Sequence, residues 1–408
     1  MKIPLQRKLD SGLGKPICRV LSLLCGRENP STEKPGKILV ILLSEMGSLV
    51  LTAPMFRYIR EHFPGASIYA LVFKRNREVL ELLNFGIEEI FTIDDSSFGR
   101  FTYDSARALL EIRKEKMDAV IDCELFSRIS SIFSCLSGAA LRSGFHPHTQ
   151  EGLYRGDFIN RPVLYNPYNH ISRQFVALAE ALRSRTMPLV KSSSEIEPAE
   201  LPPLYISEPE LKTLQQRLTG DFPQVTGKRL VLLYPGGGLL PIRAWPLENF
   251  ARVARELIGK DFAVATTGLK EDGDIARSIQ SACSSADCID LTGYTRTVRE
   301  LICLFHIGSL LITNDGGPGH FAALTPIPSI IFYGPETPVL YGPLDHKTCI
   351  FYKATACSPC LTAYNHRNSP CDGDNKCLKQ ISTEEVLAKA SEILKTGAGY
   401  SIRAVATV

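Results

Sequence analysis

From Lys37 onward, short runs of aliphatic and β-branched residues alternate with stretches in which apolar positions recur every three or four residues. An uninterrupted apolar run suits a strand buried on both faces of a parallel sheet, and the longer period suits a helix packed against it. Residues 38–43, 68–73, 89–93 and 119–123 read as strands. Residues 50–63, 77–84, 103–116, 127–136 and 170–182 read as helices. Residues 183–225 differ, with Pro188, Pro198, Pro202, Pro203 and Pro209 set among Ser and Glu and a polar helix near 208–218. The alternation then restarts, with strands at 230–234, 262–266, 289–291, 310–313 and 329–333 and helices at 246–258, 274–283, 298–305 and 319–324. The pattern predicts an α/β protein of two successive doubly wound, Rossmann-like domains. Residues 37–185 form the first, 186–225 connect, and 226–395 form the second. Two such domains facing across a cleft would offer a site for two substrates, because ligands bind at the carboxyl ends of parallel strands.

Composition changes this picture little. A hydrophobic fraction of 44% and a charged fraction of 22% are those of a soluble globular chain. A net charge of +3, without an arginine stripe, argues against a nucleic-acid partner. No apolar run reaches the ~20 residues a membrane span needs. The N-terminal extension, residues 1–36, places Lys2, Arg7, Lys8, Lys15 and Arg19 before a short apolar stretch at 20–25. That stretch is too short for a signal-peptide core and lacks a cleavage site. It reads either as a basic amphipathic helix resting on an anionic membrane face or as a mobile extension. Residues 29–36 read as a linker. The twelve cysteines are irregularly spaced, and Cys123, Cys135 and Cys303 lie in apolar runs. They read as small buried hydrophobes in a reducing compartment rather than as a disulfide framework.

Candidate chemistry lies where glycines follow strands. Glu45-Met46-Gly47-Ser48, after the first strand, allows a tight strand-to-helix turn. Pro235-Gly236-Gly237-Gly238, after the first strand of the second domain, exposes backbone N–H groups to a phosphate. Arg243 follows with a guanidinium able to meet a phosphate by two parallel hydrogen bonds. Asn314-Asp315-Gly316-Gly317-Pro318-Gly319-His320 is the most informative stretch. It sets an acidic residue at a strand end, opens the backbone, and places a histidine in the first turn of a new helix. Glu271, after the strand end at Thr266-Thr267-Gly268, is a lesser candidate, as an acceptor for ribose hydroxyls. His146, His148, Glu151, Tyr154 and Arg155 cluster in the first domain, the one that would take an acceptor, but alone they read only as a polar loop. Cys357 and Cys360, followed by Cys371 and Cys377, have spacing compatible with a structural tetrahedral metal site. The absence of a second Cys-x-x-Cys pair favours reduced thiols in a loop.

Taken together, these motifs resemble those of glycosyltransferase family 9, the ADP-heptose:lipopolysaccharide heptosyltransferases. The matching pieces are residues 43–54, 235–246, 291–293, 314–320, 332–335 and the loop 357–360, in order along most of residues 37–380. The resemblance implies a GT-B fold and an inverting, metal-independent transfer without a cofactor. The donor would be a nucleotide-sugar such as ADP-heptose, held by the second domain. The acceptor would be a lipid-linked glycan, the lipopolysaccharide core or a related surface glycan, presented by the first. The implied location is the cytoplasm, with peripheral contact to the cytoplasmic face of the inner membrane. By the same resemblance Arg243 neutralises the diphosphate, Asp315 with Gly316, Gly317 and His320 contacts diphosphate and sugar, and Thr292 and Gly293, in the matching piece 291–293, belong to the nucleotide-sugar site. The chain departs from the family at Ser48, where an aspartate is expected to take the acceptor's proton. Serine is no general base without an activator, so Glu45, on the same turn, is the candidate replacement. Two other readings are a catalytically degenerate nucleotide- or glycan-binding module and a nucleotide-sugar epimerase of the same fold class.

Overall fold

The computed structural model describes residues 10–25, 34–43, 45–125, 127–146, 154–186, 188–191, 201–238, 240–365 and 367–395. The chain divides into two compact units, Met1–Ala199 and Glu200–Val408.

The first unit is built on a six-stranded parallel sheet in the order β3-β2-β1-β4-β5-β6. Its strands are β1 (Lys37–Ile41), β2 (Ser67–Phe73), β3 (Ile87–Ile93), β4 (Ala119–Asp122), β5 (Leu141–Phe145) and β6 (Arg161–Val163). The order reverses direction between β1 and β4, which makes their carboxyl ends the switch point where such sheets bind ligands. β5 escapes sequence reasoning because tertiary contacts satisfy its polar residues, and the three-residue β6 because it is short. Arg142 donates to the carbonyls of Phe158 (2.7 Å) and Ala139 (2.6 Å), and Ser143 to that of Leu178 (2.7 Å), so all of β5 is buried. Pro162 in β6 is tolerated at a sheet edge. The helix expected at 50–63 is two pieces, Met46–Leu51 and Ala53–His62, joined at Thr52. Pro54 has no N–H for the preceding turn and instead opens the second piece.

The N-terminal helix Lys15–Leu24 docks on this unit. Asp10 accepts from the backbone N–H groups of Arg128 (2.8 Å) and Ile129 (3.0 Å), Ser22 bonds Tyr154 (2.9 Å), and Cys18 is fully buried. Cys25 and Cys135 form a disulfide, which corrects the reading of Cys135 as a free buried thiol. Among the described residues no helix is long and apolar enough to cross a membrane.

The second unit repeats the plan, in the order β12-β11-β10-β7-β8-β9, again all parallel. Its strands are β7 (Arg229–Tyr234), β8 (Phe262–Gly268), β9 (Cys288–Thr292), β10 (Leu310–Asn314), β11 (Ser329–Tyr333) and β12 (Thr348–Tyr352). The switch point lies between β7 and β10. Trp245, the only tryptophan, anchors the core. It packs edge-on to Phe250 at 5.1 Å and against Phe332 at 4.5 Å, and its indole N–H reaches the Ile381 carbonyl (3.0 Å). That bond ties the C-terminal helix Thr383–Lys395, with Val386, Ala390 and Leu394 in the same core, to the sheet. The helix Glu208–Asp221, expected at the end of a connection, packs on the second unit. Arg299 pairs with Glu210 (2.5 Å), Arg217 with Glu300 (3.2 Å), and the Leu204 N–H meets the Leu324 carbonyl (2.8 Å).

Candidate active site

At the second unit's switch point two of the glycine-rich stretches meet, the one at 235–238 and the one at 314–320. Asn314, buried at the end of β10, is the latch. Its amide donates to the carbonyl of Pro235 (2.7 Å), and its side-chain oxygen accepts from the Trp245 N–H (2.8 Å). The loop from Gly236 to Arg243 is thereby pinned at both ends to one strand end. Gly237 is required by close approach, since a Cβ there would stand 2.8 Å from the Pro241 Cα, a backbone atom that cannot turn aside.

Arg243 is carried into this site by the short 3-10 turn Pro241–Arg243. Its guanidinium lies 3.5 Å from Asp315 and 3.7 Å from Glu336, and Glu336 is in turn 3.1 Å from Arg367. Asp315 and Glu336 are only 7% and 3% exposed, so water does little to support their charge. Burial raises the Asp315 carboxyl pKa, opposed by Arg243 and by a hydrogen bond with Tyr333. Burial likewise pushes Glu336 up to about 8, opposed by Arg243 and reinforced by Asp315. Neither Asp315 Oδ2 nor Glu336 Oε1 receives a well-directed hydrogen bond, and the buried Arg243 Nε also lacks an acceptor. These contacts are ionic without being closed, which leaves the guanidinium able to accept an anion. Gly316 and Gly317 follow Asp315 directly, and His320 is buried on the next turn.

The lesser candidates lie at adjoining strand ends. Gly293, with φ +69°, bonds the Gly268 carbonyl through its N–H (2.9 Å), and Thr292 is held by Asp290 (2.7 and 2.8 Å). Glu271 is exposed, whereas its neighbour Asp272 lies against Gly236 and Gly268. Among the described residues no group of three or more His, Cys, Asp or Glu side chains could hold a metal ion. Of the four thiols, Cys357 and Cys371 are exposed, Cys360 is half-buried and Cys377 is buried.

In the first unit, Glu45 immediately precedes the helix Met46–Leu51, and its carbonyl accepts from the Ser48 N–H (3.1 Å). The two side chains therefore share one turn at the carboxyl end of β1, both half-buried. Buried Asn76 braces this turn through the Leu43 carbonyl (2.8 Å). At the adjacent end of β4 stand Asp122 and Glu124, a buried carboxylate pair that sequence reasoning missed. The first unit's polar cluster, which alone reads as a polar loop, is in part buried. Arg155 is fully buried, pairs with Asp122 and donates to the carbonyls of Ser127 and Phe145 (both 2.8 Å). It is thus a structural residue. His146 and Tyr154 remain near each other at 6.2 Å, while His148 and Glu151 lie outside the described residues.

The family model described as "Glycosyltransferase family 9 (heptosyltransferase)" matches residues 106–369, well over half of the chain. The chain belongs to glycosyltransferase family 9. Lipopolysaccharide heptosyltransferase 2 of Salmonella typhimurium is 28% identical over 203 residues, covering 48% of this chain and 55% of that one, so the match spans about half of each. The Escherichia coli K12 protein of the same name is 22% identical over 373 residues, covering 88% of this chain and 98% of that one. Among solved structures, E. coli ADP-heptose lps heptosyltransferase II superposes with TM-score 0.69 at 21% identity, covering 88% of this chain and 99% of that one. A family 9 glycosyl transferase from Veillonella parvula gives 0.66 at 22% identity, covering 91% and 100%. At these identities the structures establish the fold, two Rossmann-like domains of the GT-B class. Asn314, Glu336 and Arg367 were not singled out as functional from sequence. The only available signal was that Asn314 opens the Asp315 motif and Glu336 follows the Phe332–Pro335 motif.

Proposed function

We propose that this protein transfers a heptose, with inversion and without a metal, from an ADP-linked donor to a lipopolysaccharide core or related lipid-linked glycan. The observation that carries the reading is the unclosed charge cluster of Arg243, Asp315 and Glu336 among glycine loops at the β7/β10 switch point. A diphosphate supplies the acceptors that Arg243 lacks. Gly236, Gly237, Gly316 and Gly317 let backbone approach the phosphates, while Asp315 and His320 lie toward the sugar, and Thr292, Gly293 and the acidic pair Glu271–Asp272 toward the nucleoside. The first unit holds the acceptor. Its hydroxyl oxygen bonds to the anomeric carbon as the bond from that carbon to the phosphate oxygen breaks. The nucleoside diphosphate leaves with the electron pair, its charge met by Arg243. Glu45 takes the hydroxyl proton, the part an aspartate at the Ser48 position would play.

The acceptor's lipid calls for a membrane-facing element, and the N-terminal helix suits that role. Leu13, Ile17, Val20 and Leu24 recur at helical spacing and are 57%, 42%, 56% and 76% exposed, with Leu23 beside them and Lys15 and Arg19 exposed on the same helix. Such a helix lies in the plane of an anionic interface. Binding to phosphatidylglycerol vesicles that is lost in Ile17→Glu/Leu24→Glu is the expected result, and unchanged binding would remove this part of the proposal.

Turnover is tested by incubating the protein with ADP-heptose and a heptose-deficient core acceptor and following acceptor mass. Product formation by the parent chain, reduced at least a hundredfold in Glu45→Gln, is expected. Ser48 favours a second reading, a binding module without turnover. Donor binding with no product under any condition would establish that reading instead.

A further inference from the structure

We infer that Arg367, carried on the cysteine loop and positioned by Glu336, is a second guanidinium for the diphosphate of the donor. The inference rests on the nucleotide-sugar reading of the second unit and extends it to a loop that reading leaves without a role. One carboxylate oxygen, Glu336 Oε1, faces both Arg243 Nη2 at 3.7 Å and Arg367 Nε at 3.1 Å. All three side chains are largely buried, with exposures of 12%, 16% and 3% for Arg243, Arg367 and Glu336. Two guanidiniums bracketing one oxygen are spaced for adjacent phosphates.

The loop is built to deliver this side chain. The N–H groups of Cys360 and Leu361 both donate to the Pro335 carbonyl, at 2.9 and 2.8 Å, and Ser358 bonds the Gly334 carbonyl. The loop is thereby seated on the residues just before Glu336. Downstream, Asn375 donates to the Ile242 carbonyl (2.6 Å), which fastens the segment to the turn that presents Arg243. Arg367 itself has φ +56°, in the left-handed region that is strained for a non-glycine residue. Its guanidinium lies over the Tyr341 ring at 5.4 Å. A strained backbone and an aromatic rest hold a flexible side chain in one place, the arrangement of a residue whose position matters.

Two lone cations side by side would repel. In its charged form Glu336, whose one oxygen faces both guanidiniums, offsets that repulsion before the donor arrives, and the phosphates take over its part once bound. Arg243 meets one phosphate and Arg367 the other. A nucleoside monophosphate, with one phosphate fewer, cannot engage both.

Calorimetric titration of the full chain with ADP and AMP tests this. Parent protein should prefer ADP, and Arg367→Ala should weaken ADP at least tenfold while changing AMP less than threefold, so that the preference collapses. Arg367→Lys should restore part of it, since the charge returns without the fork. If Arg367→Ala does not fold, Arg367→Gln, which keeps a donor for Glu336, takes its place with the same expectation. A folded variant that retains the parent ADP-to-AMP ratio, while Arg243→Ala weakens ADP at least tenfold, overturns the role of Arg367 and leaves the donor site standing. If the parent chain binds none of ADP, UDP, GDP or CDP, the donor-site reading fails and this inference fails with it.

Discussion

Replacing Arg243 with alanine should damage stability and donor binding by separable amounts. In the folded chain the guanidinium stands 3.5 Å from Asp315 and 3.7 Å from Glu336, and both carboxylates are almost completely buried. Removing one partner of a buried ion pair costs about 3–5 kcal/mol when the remaining charge is stranded. Three features reduce that cost here. The contacts are longer than closed charged hydrogen bonds, Arg367 still faces Glu336, and both carboxyls have raised pKa values and can take a proton instead. A loss of about 2–3 kcal/mol is therefore expected. Binding loses one charge-assisted contact worth about 1.5–3 kcal/mol, or roughly 10- to 150-fold in ADP affinity. Urea unfolding followed by the fluorescence of Trp245 reports the second unit specifically, because that tryptophan is the only one in the chain and lies in that unit's core. Calorimetry reports the affinity. Arg243→Lys should recover most of the stability and part of the binding. If Arg243→Ala leaves the urea midpoint and the ADP affinity both within error of the parent, the charge-cluster account is wrong.

Further outcomes follow from the same geometry. ADP affinity should fall as pH rises through about 8, because Glu336 gains a negative charge there beside Arg243, Arg367, Asp315 and Tyr333; Glu336→Gln should flatten that step in a titration series from pH 6.5 to 9. Gly237→Ala forces a Cβ within 2.8 Å of the Pro241 backbone, so it should weaken ADP about tenfold or more, as measured by calorimetry, by displacing the loop that presents Arg243. Arg155→Met leaves Asp122, whose pKa burial already raises to about 6 against the pull of Arg155, without its cation. It should cost the first unit about 3–5 kcal/mol by circular-dichroism denaturation, with Asp122→Asn added in the same chain recovering part of the loss.

How far the sequence carried this account depended on whether a residue's surroundings were local. β1, β2, β10 and β11 are apolar runs that announce themselves, because both faces of a central parallel strand are buried. β5 contains Arg and Ser and is equally buried, but its polar groups are satisfied by carbonyls up to 35 residues away, which no local pattern encodes. The same division holds at the site. Gly236, Gly237 and Asp315 are legible because glycines after a strand mark open backbone. Glu336 and Arg367 are ordinary residue types, and only the fold brings them to Arg243. The Cys25–Cys135 disulfide joins residues 110 apart whose spacing gives no signal. Arg155 shows the reverse error, a polar residue in a polar stretch that the fold buries completely.

The central claim is that the β7/β10 switch point of the second unit is a nucleoside-diphosphate site for a sugar donor. The most direct test is a calorimetric titration of the full chain and of Arg243→Ala with ADP, UDP, GDP and CDP. Saturable binding of one diphosphate, ADP, that the substitution weakens at least tenfold is the predicted result. Binding of none, or binding that Arg243→Ala leaves intact, would contradict it.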